Sequence, residues 1–236
     1  MPEIVYEDNH LLVAVKPPNQ LTQGDETGDL ALLDELKGYI KVKYQKPGEV
    51  YLGLVHRLDR PVGGLVAFAR TSKAASRLSD QVRTHAMHRD YLAVVENGDT
   101  LADEGTLHNW LQKDEASGNV HVVKNGSSGS QEARLHYQVI SRKGGTALVH
   151  VVLETGRKHQ IRVQFMHSGH PLVYDMRYGH GECGQNIALW GAMLTLAHPT
   201  LKEVMTFTSR PKGAAYEPYA DVIDSFLGNI PKGDTK

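Results

Sequence analysis

Residues 56–69 read HRLDRPVGGLVAFA, a charged segment followed by a proline, two glycines and an apolar run. With the aliphatic residues that precede the charges, this pattern predicts a strand over residues 51–60. Proline and glycine then predict a turn at residues 61–64. The uniformly apolar residues 65–69 predict a buried strand that returns from the turn. The charged segment is therefore expected at the end of a strand, beside a turn.

The charged segment itself has the composition of a functional site. Successive side chains on a strand alternate between its faces, so Arg57 and Asp59 are predicted to share one face, opposite His56 and Leu58. An aspartate between Arg57 and Arg60 stays ionised and can be oriented by charge-assisted hydrogen bonds. An ordinary surface ion pair would use the same residue types. The position at a strand end favours a functional group, because such groups gather on loops held by rigid elements.

Apolar periodicity elsewhere predicts further strands and helices. The predicted strands cover residues 4–6, 11–15, 91–95, 147–153 and 189–196. The predicted helices cover residues 29–44, with a cap near residues 27–29, a segment that Ser72 can cap, and residues 157–168. Residues 113–132 are polar and rich in glycine and serine, which indicates a long exposed hairpin or loop. Strands and helices mixed irregularly, with several hairpins, predict an α+β fold around a largely antiparallel or mixed sheet.

A second charged segment, TGRKHQIR, occupies residues 155–162. Arg157, Lys158, His159 and Arg162 would crowd the beginning of a predicted helix, where the helix dipole is already positive. Cations are unfavourable there unless an anion binds, so the segment predicts a site for a phosphate or a carboxylate. A solvated basic face is the alternative interpretation. Four such groups directly after a strand favour the anion site.

The composition sets limits on the class of protein. Of the 236 residues, 40% are hydrophobic and 22% are charged, which excludes wholesale disorder and indicates one large domain. The net charge of −1 excludes a histone-like nucleic-acid binder but allows a local basic cleft. The single cysteine, Cys183, excludes an internal disulfide and cysteine-rich zinc modules. No secretory signal or membrane-spanning run is present, so a cytoplasmic location is expected.

Two other patterns match known sites but lack their structural context. Residues 179–184 (GHGECG) fit the dinucleotide-binding pattern G-x-G-x-x-G, yet neither a buried strand before them nor a helix after them is predicted. A surface loop is the better interpretation. The pairs His85 and His88, and His167 and His170, have plausible ligand spacing but no evident third ligand. No metal site is expected from them.

The two charged segments resemble the signatures of one known family, the RluA-type pseudouridine synthases. Residues 56–60 (HRLDR), followed by GGL at 63–65, look like the first signature, and residues 156–162 (GRKHQIR) resemble the second. The likeness runs from IVYED at residues 4–8 to LTLAHP at residues 194–199, nearly the whole chain in the family's order.

The resemblance implies isomerisation of uridine to pseudouridine in ribosomal or transfer RNA, with no metal, no organic cofactor and no obligate protein partner. By motif position, Asp59 corresponds to the essential aspartate, Tyr91 to the tyrosine that stacks on the uracil and is a candidate base at C5, and Arg162 to the arginine that pairs with the aspartate. The family fold is a mixed sheet with flanking helices and a central RNA-binding cleft. The other predicted RNA contacts are His56, Arg57, Arg60, Arg157, Lys158 and His159.

The chain also departs from the family pattern. Many members carry a small N-terminal RNA-binding domain, whereas this sequence begins at the catalytic core, so one catalytic domain over residues 1–236 is expected. Asn19 stands where glycine is usual, and Gln23 where histidine is common. These departures leave both ribosomal and transfer RNA open as targets.

Two rival functions use the same residues. A non-catalytic module that binds uridine-containing loops is the first, but binding alone does not require a carboxylate that faces a polyanion. A glycosidase-like enzyme that pairs Asp59 with Glu154 is the second. Trp110 and Trp190 lie in apolar, strand-like sequence and do not form the sugar-stacking platform that such an enzyme would need.

Overall fold

Most of the short apolar runs form strands in the computed structural model, which describes residues 1–181 and 184–230. The strands in this part of the chain are β1 (Glu3–Glu7), β2 (Leu11–Lys16), β3 (Gly53–Leu54), β4 (Gly63–Ala69), β5 (His88–Val95), β6 (Glu104–Lys113), β7 (Val120–Val123), β8 (Gln131–Lys143), β9 (Thr146–Leu153), β10 (Leu189–Ala197) and β11 (Val204–Thr208). The α-helices are α1 (Leu32–Lys43), α2 (Ser72–Arg83), α3 (Gln160–His167) and α4 (Ala220–Gly228), and a 3-10 helix (Ala214–Tyr219) precedes α4.

The chain divides into two compact units. The first unit comprises Met1–Arg89 and Gly191–Ser209 with residue 230, and the second comprises the described residues of Asp90–Trp190 and Arg210–Asn229. The first unit therefore contains β1 to β4, α1, α2, β11 and most of β10. The second contains most of β5, then β6 to β9, α3, the 3-10 helix and α4.

In the first unit the strand order is β1-β2-β4-β10, with β11 paired to β10 and β3 paired to β4. The β1–β2, β2–β4 and β10–β11 pairs are antiparallel. Every residue of β2 and β4 is buried, which accounts for their continuous apolar sequences, because a strand covered on both faces does not alternate. These two strands form the centre of the unit.

In the second unit the strand order is β5-β9-β8-β6-β7, and each neighbouring pair is antiparallel. The long polar stretch from residue 113 forms the turns on either side of β7, which confirms the predicted exposed hairpin. Val163 of α3 packs on Leu111, Val120 and Ala133 of the sheet. The predicted strands at residues 4–6, 11–15, 91–95, 147–153 and 189–196 are all present, and the α+β class with a mostly antiparallel sheet is confirmed.

Some predicted boundaries are wrong. Only Gly53 and Leu54 of the predicted strand 51–60 pair with a neighbour, and the glycines at 63 and 64 belong to β4 instead of the turn. Residues 55–59 belong to no helix or strand, although their side chains still alternate in burial as an extended chain does. β6, β11 and the helices after residue 213 were not predicted.

The first and third predicted helices begin later than their apolar patterns indicate, whereas the second begins at the residue that was expected to cap it. The amides of Leu32 and Leu33 donate to the carbonyls of residues 21 and 22, so the first helix begins at Leu32 and not near residue 29. The Thr71 hydroxyl accepts from the Ala74 amide and caps α2, the role that was expected of Ser72. The third helix begins at Gln160, so the basic residues 157–159 precede its first turn. The GHGECG pattern includes residues 182 and 183, which lie outside the described residues.

Candidate functional site

The nine residues that the sequence singles out divide between the two units. His56, Arg57, Asp59 and Arg60 lie in one segment of the first unit. Tyr91, Arg157, Lys158, His159 and Arg162 lie in the second unit. Each set of residues is held by contacts within its own unit.

A buried lysine holds the segment that carries Asp59. Lys16 is the last residue of β2, and its side chain is fully buried. Its Nζ donates to the carbonyls of Pro17 (3.0 Å), Gln20 (2.7 Å) and Arg60 (2.9 Å). Only an ammonium has three N–H groups for these three acceptors. Lys16 thereby ties the residue after Asp59 to the end of the central strand.

The charge of Asp59 acts on this ammonium. Burial lowers the pKa of Lys16 to about 7, and the negative charge of Asp59 acts in the opposite direction. Asp59 is partly exposed, and its carbonyl accepts from the Val62 amide at 3.0 Å, which closes the turn before β4. The carboxylate thus belongs to a turn whose backbone is fixed on both sides.

Thr22 and His56 complete the support of this segment. The Thr22 hydroxyl donates to the Leu58 carbonyl (2.9 Å) and accepts from the Leu58 amide (3.2 Å). The buried His56 ring accepts from the Ala67 amide of β4 through Nε2, at 3.0 Å. Burial, with the charge of Arg89 second, lowers the pKa of His56 to about 3, so the ring is neutral at pH 7. In this structure His56 anchors the segment, and the RNA contact expected of it stays a prediction.

The two arginines of this segment reach solvent. Arg57 is exposed, between the buried His56 and Leu58. The Arg60 guanidinium pairs with Asp29 at 2.5 Å, and both side chains are about half exposed. Both guanidinium groups therefore lie at the surface of the segment, in the same stretch of chain as the partly exposed Asp59.

The glycine pair after the turn has a packing role. Gly64 has a φ of +126°, which side chains rarely adopt. A Cβ atom at this position would lie 2.4 Å from the backbone nitrogen and oxygen of Gly191 in β10. Glycine at 64 therefore lets β4 and β10 approach each other directly beyond the Asp59 turn.

In the second unit, Tyr91 lies on the face of the sheet that α3 covers. Tyr91 of β5 is directly opposite Val151 of β9, which is opposite Tyr137 of β8. Residues directly opposite each other in antiparallel strands share a face. The ring of Tyr137 contacts the ring of Phe165 of α3, with centroids 5.5 Å apart. The Tyr91 side chain, 7% exposed, is held in this packed face.

Arg162 forms a buried ion pair that the sequence did not predict. Its Nε and Nη2 donate to the two carboxylate oxygens of Asp175 at 2.8 and 2.7 Å. Asp175 Oδ1 also accepts from the amides of Arg177 (2.9 Å) and Tyr178 (3.1 Å). Burial alone would raise the pKa of Asp175, but these donors and the charge of Arg162 outweigh it and lower the pKa. The pair is thus fully ionised, and the Asp175 carboxylate holds the Arg162 guanidinium in one orientation.

Tyr178 joins this pair to the second signature. Its ring faces the Arg162 guanidinium, 5.1 Å from the ring centroid. Its hydroxyl accepts from the Val120 amide of β7 (2.9 Å) and is hydrogen-bonded to His159 Nδ1 (2.7 Å). His159 precedes α3 with a φ of +54°. Tyr178 therefore fixes the backbone just before α3, together with the β6–β7 hairpin.

The segment before α3 is held by Gln160. Gln160 Oε1 accepts from the Thr155 hydroxyl (2.8 Å) and the Arg157 amide (3.0 Å), while its Nε2 donates to the Arg134 carbonyl of β8 (3.1 Å). Arg157 and Lys158 project outward, where they donate to the Glu132 and Gly118 carbonyls at 2.9 and 3.1 Å. Their cationic groups are exposed at the surface of the second unit.

Lys16, Asp175 and Tyr178 are the residues that sequence reasoning missed as supports. Each stands out as a polar residue in or next to apolar sequence, in LLVAVK for Lys16 and in LVYDMRY for the other two. Burial of a charge requires a partner, so these positions could have been flagged. Their partners are distant in sequence and could not have been named.

The described residues contain no group of three or more His, Cys, Asp or Glu arranged to hold a metal ion. Among residues 1–181 and 184–230, no helix is both long and apolar enough to cross a lipid bilayer.

Comparisons with known proteins agree with the two signatures. A family model described as RNA pseudouridylate synthase matches residues 10–167. A ribosomal large subunit pseudouridine synthase C of Yersinia pestis is 32% identical over 210 residues, which cover 86% of this chain and 63% of that protein. An uncharacterized RNA pseudouridine synthase of Bacillus subtilis, YhcT, is 34% identical over 207 residues, which cover 86% of this chain and 66% of that protein.

A solved structure extends the comparison to the fold. Human RNA pseudouridylate synthase domain containing 4 matches with a TM-score of 0.74 at 22% identity, over 98% of this chain and 95% of that one. The chain spans less than two thirds of the length of the two curated relatives above. The family match includes both signature segments, and this chain belongs to the RNA pseudouridylate synthase family.

Proposed function

We propose that this chain isomerises uridine in RNA to pseudouridine. The observation that carries the proposal is the family match over residues 10–167, which contains both Asp59 and Arg162. The fixed backbone around Asp59 supports it, because a reacting carboxylate must be held in one geometry. The buried Arg162–Asp175 pair supports it in the second unit, because it orients a guanidinium rigidly.

The chemistry requires one carboxylate and one proton acceptor. The bond between N1 and the ribose C1′ breaks, a bond between C5 and C1′ forms, the C5 proton leaves, and N1 gains a proton. We assign Asp59 as the carboxylate that acts as nucleophile or as base, and Tyr91 as the aromatic group that stacks on the uracil and accepts the C5 proton. The atoms balance without any co-reactant, and the proposal assigns the steps to these side chains alone.

Recognition of the RNA is assigned to the exposed cations. Arg57, Arg60, Arg157 and Lys158 reach the surface, where guanidinium and ammonium groups bind phosphates. A target uridine must leave its stack, and aromatic and arginine contacts offset that cost.

The first substrate to test is large-subunit ribosomal RNA, because the Yersinia pestis relative is named for it. Transfer RNA is the second. A ribosomal RNA substrate is consistent with action in the cytoplasm and with no obligate protein partner.

Release of tritium from RNA labelled at uracil C5 tests the proposal. We expect the wild-type protein to release tritium from large-subunit ribosomal RNA and to leave pseudouridine at defined positions, mapped by mass spectrometry. Asp59→Asn should lower the rate by about a thousandfold or more, with RNA affinity retained, because the isosteric amide is neither a base nor a nucleophile. Asp34→Asn, an exposed residue of α1, is the matched control and should react normally.

The outcomes separate the rival functions. A wild-type protein that binds RNA but releases no tritium from ribosomal or transfer RNA is a binding module, and the proposal is then wrong. Normal turnover by Asp59→Asn would contradict the central assignment. Tyr91→Phe should bind RNA and stall before the C5 proton leaves, and normal release by this variant would restrict Tyr91 to stacking.

A further inference from the structure

A basic groove lies in the first unit, outside the residues assigned above. It is bounded by the outer face of α2 and by the turn that joins β10 to β11, and its volume is about 570 Å³. Arg77, Arg83 and Lys202 supply its cations, and Ser76 and Ser79 supply hydroxyl groups. The signatures do not include any of these residues.

The floor of the groove is built from specific hydrogen bonds. Gln81 Nε2 donates to the Ala197 carbonyl (2.7 Å), and Gln81 Oε1 accepts from the Ala197 amide (2.8 Å). Arg77 Nη1 donates to the Pro199 carbonyl at 2.7 Å. These three bonds fix α2 to the end of β10, so the spacing of the groups that line the groove is set by rigid elements.

The groove has a net positive charge, although the chain as a whole does not. The lining of the groove contains three Lys or Arg and one acidic residue, whereas the whole chain has a net charge of −1. The acidic residue of the groove, Asp80, is paired with Arg83 at 2.5 Å, and both side chains are more than half exposed. Arg77 and Lys202 add two further positive charges. The surplus charge favours an anion.

The described lining favours a phosphate backbone over a base or an apolar ligand. It contains no aromatic side chain on which a base could stack, and its polar groups are cations, hydroxyls, one amide and the Asp80 carboxylate that pairs with Arg83. Cations with hydroxyl donors are the groups that bind phosphate oxygens without reading sequence.

We propose that this groove binds the sugar–phosphate backbone of the RNA substrate, as a contact separate from the reacting uridine. The proposal rests on the proposed function for the identity of the polyanion. Gly191 of β10 is adjacent to Gly64, just beyond the Asp59 turn, and Ala197 is six residues further along the strand. At about 3.3 Å per residue this separation is about 20 Å, or about six nucleotide steps of a helical strand. An RNA that contacts both the Asp59 turn and the groove must therefore extend at least about 20 Å from the target uridine.

The double variant Arg83→Gln with Lys202→Gln tests the groove. Affinity for a fluorescent single-stranded oligouridylate is measured against salt concentration, and pseudouridine formation is measured on large-subunit ribosomal RNA. Loss of two phosphate contacts should reduce the slope of log K against log salt by about 1.4. The KM for long RNA should rise about tenfold, with kcat within about twofold of wild type. RNA too short to reach the groove should show no change in KM.

Lys41→Gln with Lys46→Gln removes the same charge from two exposed positions, one near the end of α1 and one just after it, and is the matched control. An equal slope in both double variants would overturn the groove assignment. The affinity of the groove variant for polyglutamate is measured as well. If that affinity falls by the same factor as the affinity for oligouridylate, the groove is a surface for acidic protein segments and the assignment is overturned. A wild-type protein that binds oligouridylate but forms no pseudouridine would contradict the proposed function alone, because the salt slopes would still decide the groove.

Discussion

Lys16, His56 and Arg162 show how buried polar residues support the candidate site. Each is nearly or fully buried, and each is held by hydrogen bonds to groups from another part of the chain. Removing water from such groups is unfavourable unless partners replace it. The partners here are backbone groups of the Asp59 segment and of β4, or a carboxylate. The buried groups therefore position the segments that carry the exposed functional residues.

The stability of the protein should depend on the protonation of His56. Its pKa is about 3 in the folded protein, against 6.5 for an unperturbed histidine, because burial and Arg89 disfavour the charged ring. Between these two pH values the unfolded chain binds a proton that the folded protein does not, so the free energy of unfolding falls as the pH decreases. This contribution amounts to about 3 kcal/mol between pH 7 and pH 4.

Urea denaturation at several pH values measures this effect. His56→Gln keeps an acceptor for the Ala67 amide but does not titrate, so its stability should fall less than that of wild type towards pH 4. His121→Gln removes an exposed histidine and serves as the control, with a profile close to wild type. Parallel profiles for wild type and His56→Gln would contradict the buried, neutral ring.

At the scale of elements, the contact between β4 and β10 depends on one glycine more than on the other. Gly64 has a positive φ and touches the backbone of Gly191, whereas a Cβ atom added at Gly191 would meet the Leu65 nitrogen at 3.5 Å and Leu58 at 3.7 Å. The distances around Gly191 are those of ordinary van der Waals contacts. The asymmetry makes the two glycines a matched pair.

We expect Gly64→Ala to lower the free energy of unfolding by about 3 kcal/mol or more, from backbone strain and from separation of the strands. Gly191→Ala should change it by less than about 1 kcal/mol. Thermal and urea denaturation of both variants provide the comparison. If Gly64→Ala is as stable as Gly191→Ala, the close approach of these strands is not required by the fold.

At the scale of the whole molecule, charge is nearly balanced, so any affinity for RNA must come from its local distribution. The chain has 26 Lys and Arg and 27 Asp and Glu. Exposed cations that could contact RNA include Arg57 and Arg60, Arg157 and Lys158, and those along the groove on α2. A polyanion that binds these places releases counterions whatever the net charge of the protein.

RNA affinity should therefore fall as salt rises, by about 0.7 in the slope of log K for each phosphate contact on single-stranded RNA. Fluorescence anisotropy with labelled RNA measures the slope. The free energy of unfolding, followed over the same salt range, shows whether the protein itself is affected. A flat response would indicate that the basic clusters do not face the RNA.

Local patterns were sufficient to predict much of the fold and both signature segments. Short apolar runs correctly predicted β1, β2, β5, β9 and β10. Such a run is formed by residues adjacent in sequence, so it can be recognised without knowledge of the tertiary structure. The helix boundaries were less accurate, since the first helix is delayed by hydrogen bonds from Leu32 and Leu33 to residues 21 and 22. Such contacts depend on how a preceding loop folds back, which periodicity does not report.

The amino-acid sequence by itself determined the α+β class, the family and the identity of Asp59, Tyr91 and Arg162 as candidates, because motifs and hydrophobic periods are properties of adjacent residues. The tertiary structure alone decided which groups support them. Lys16 reaches the Arg60 carbonyl across 44 residues, Arg162 meets Asp175 across 13, and Gly64 meets Gly191 from a different part of the chain. These partners are selected by chain closure and by the need to satisfy every buried charge, and both conditions exist only once the chain has folded.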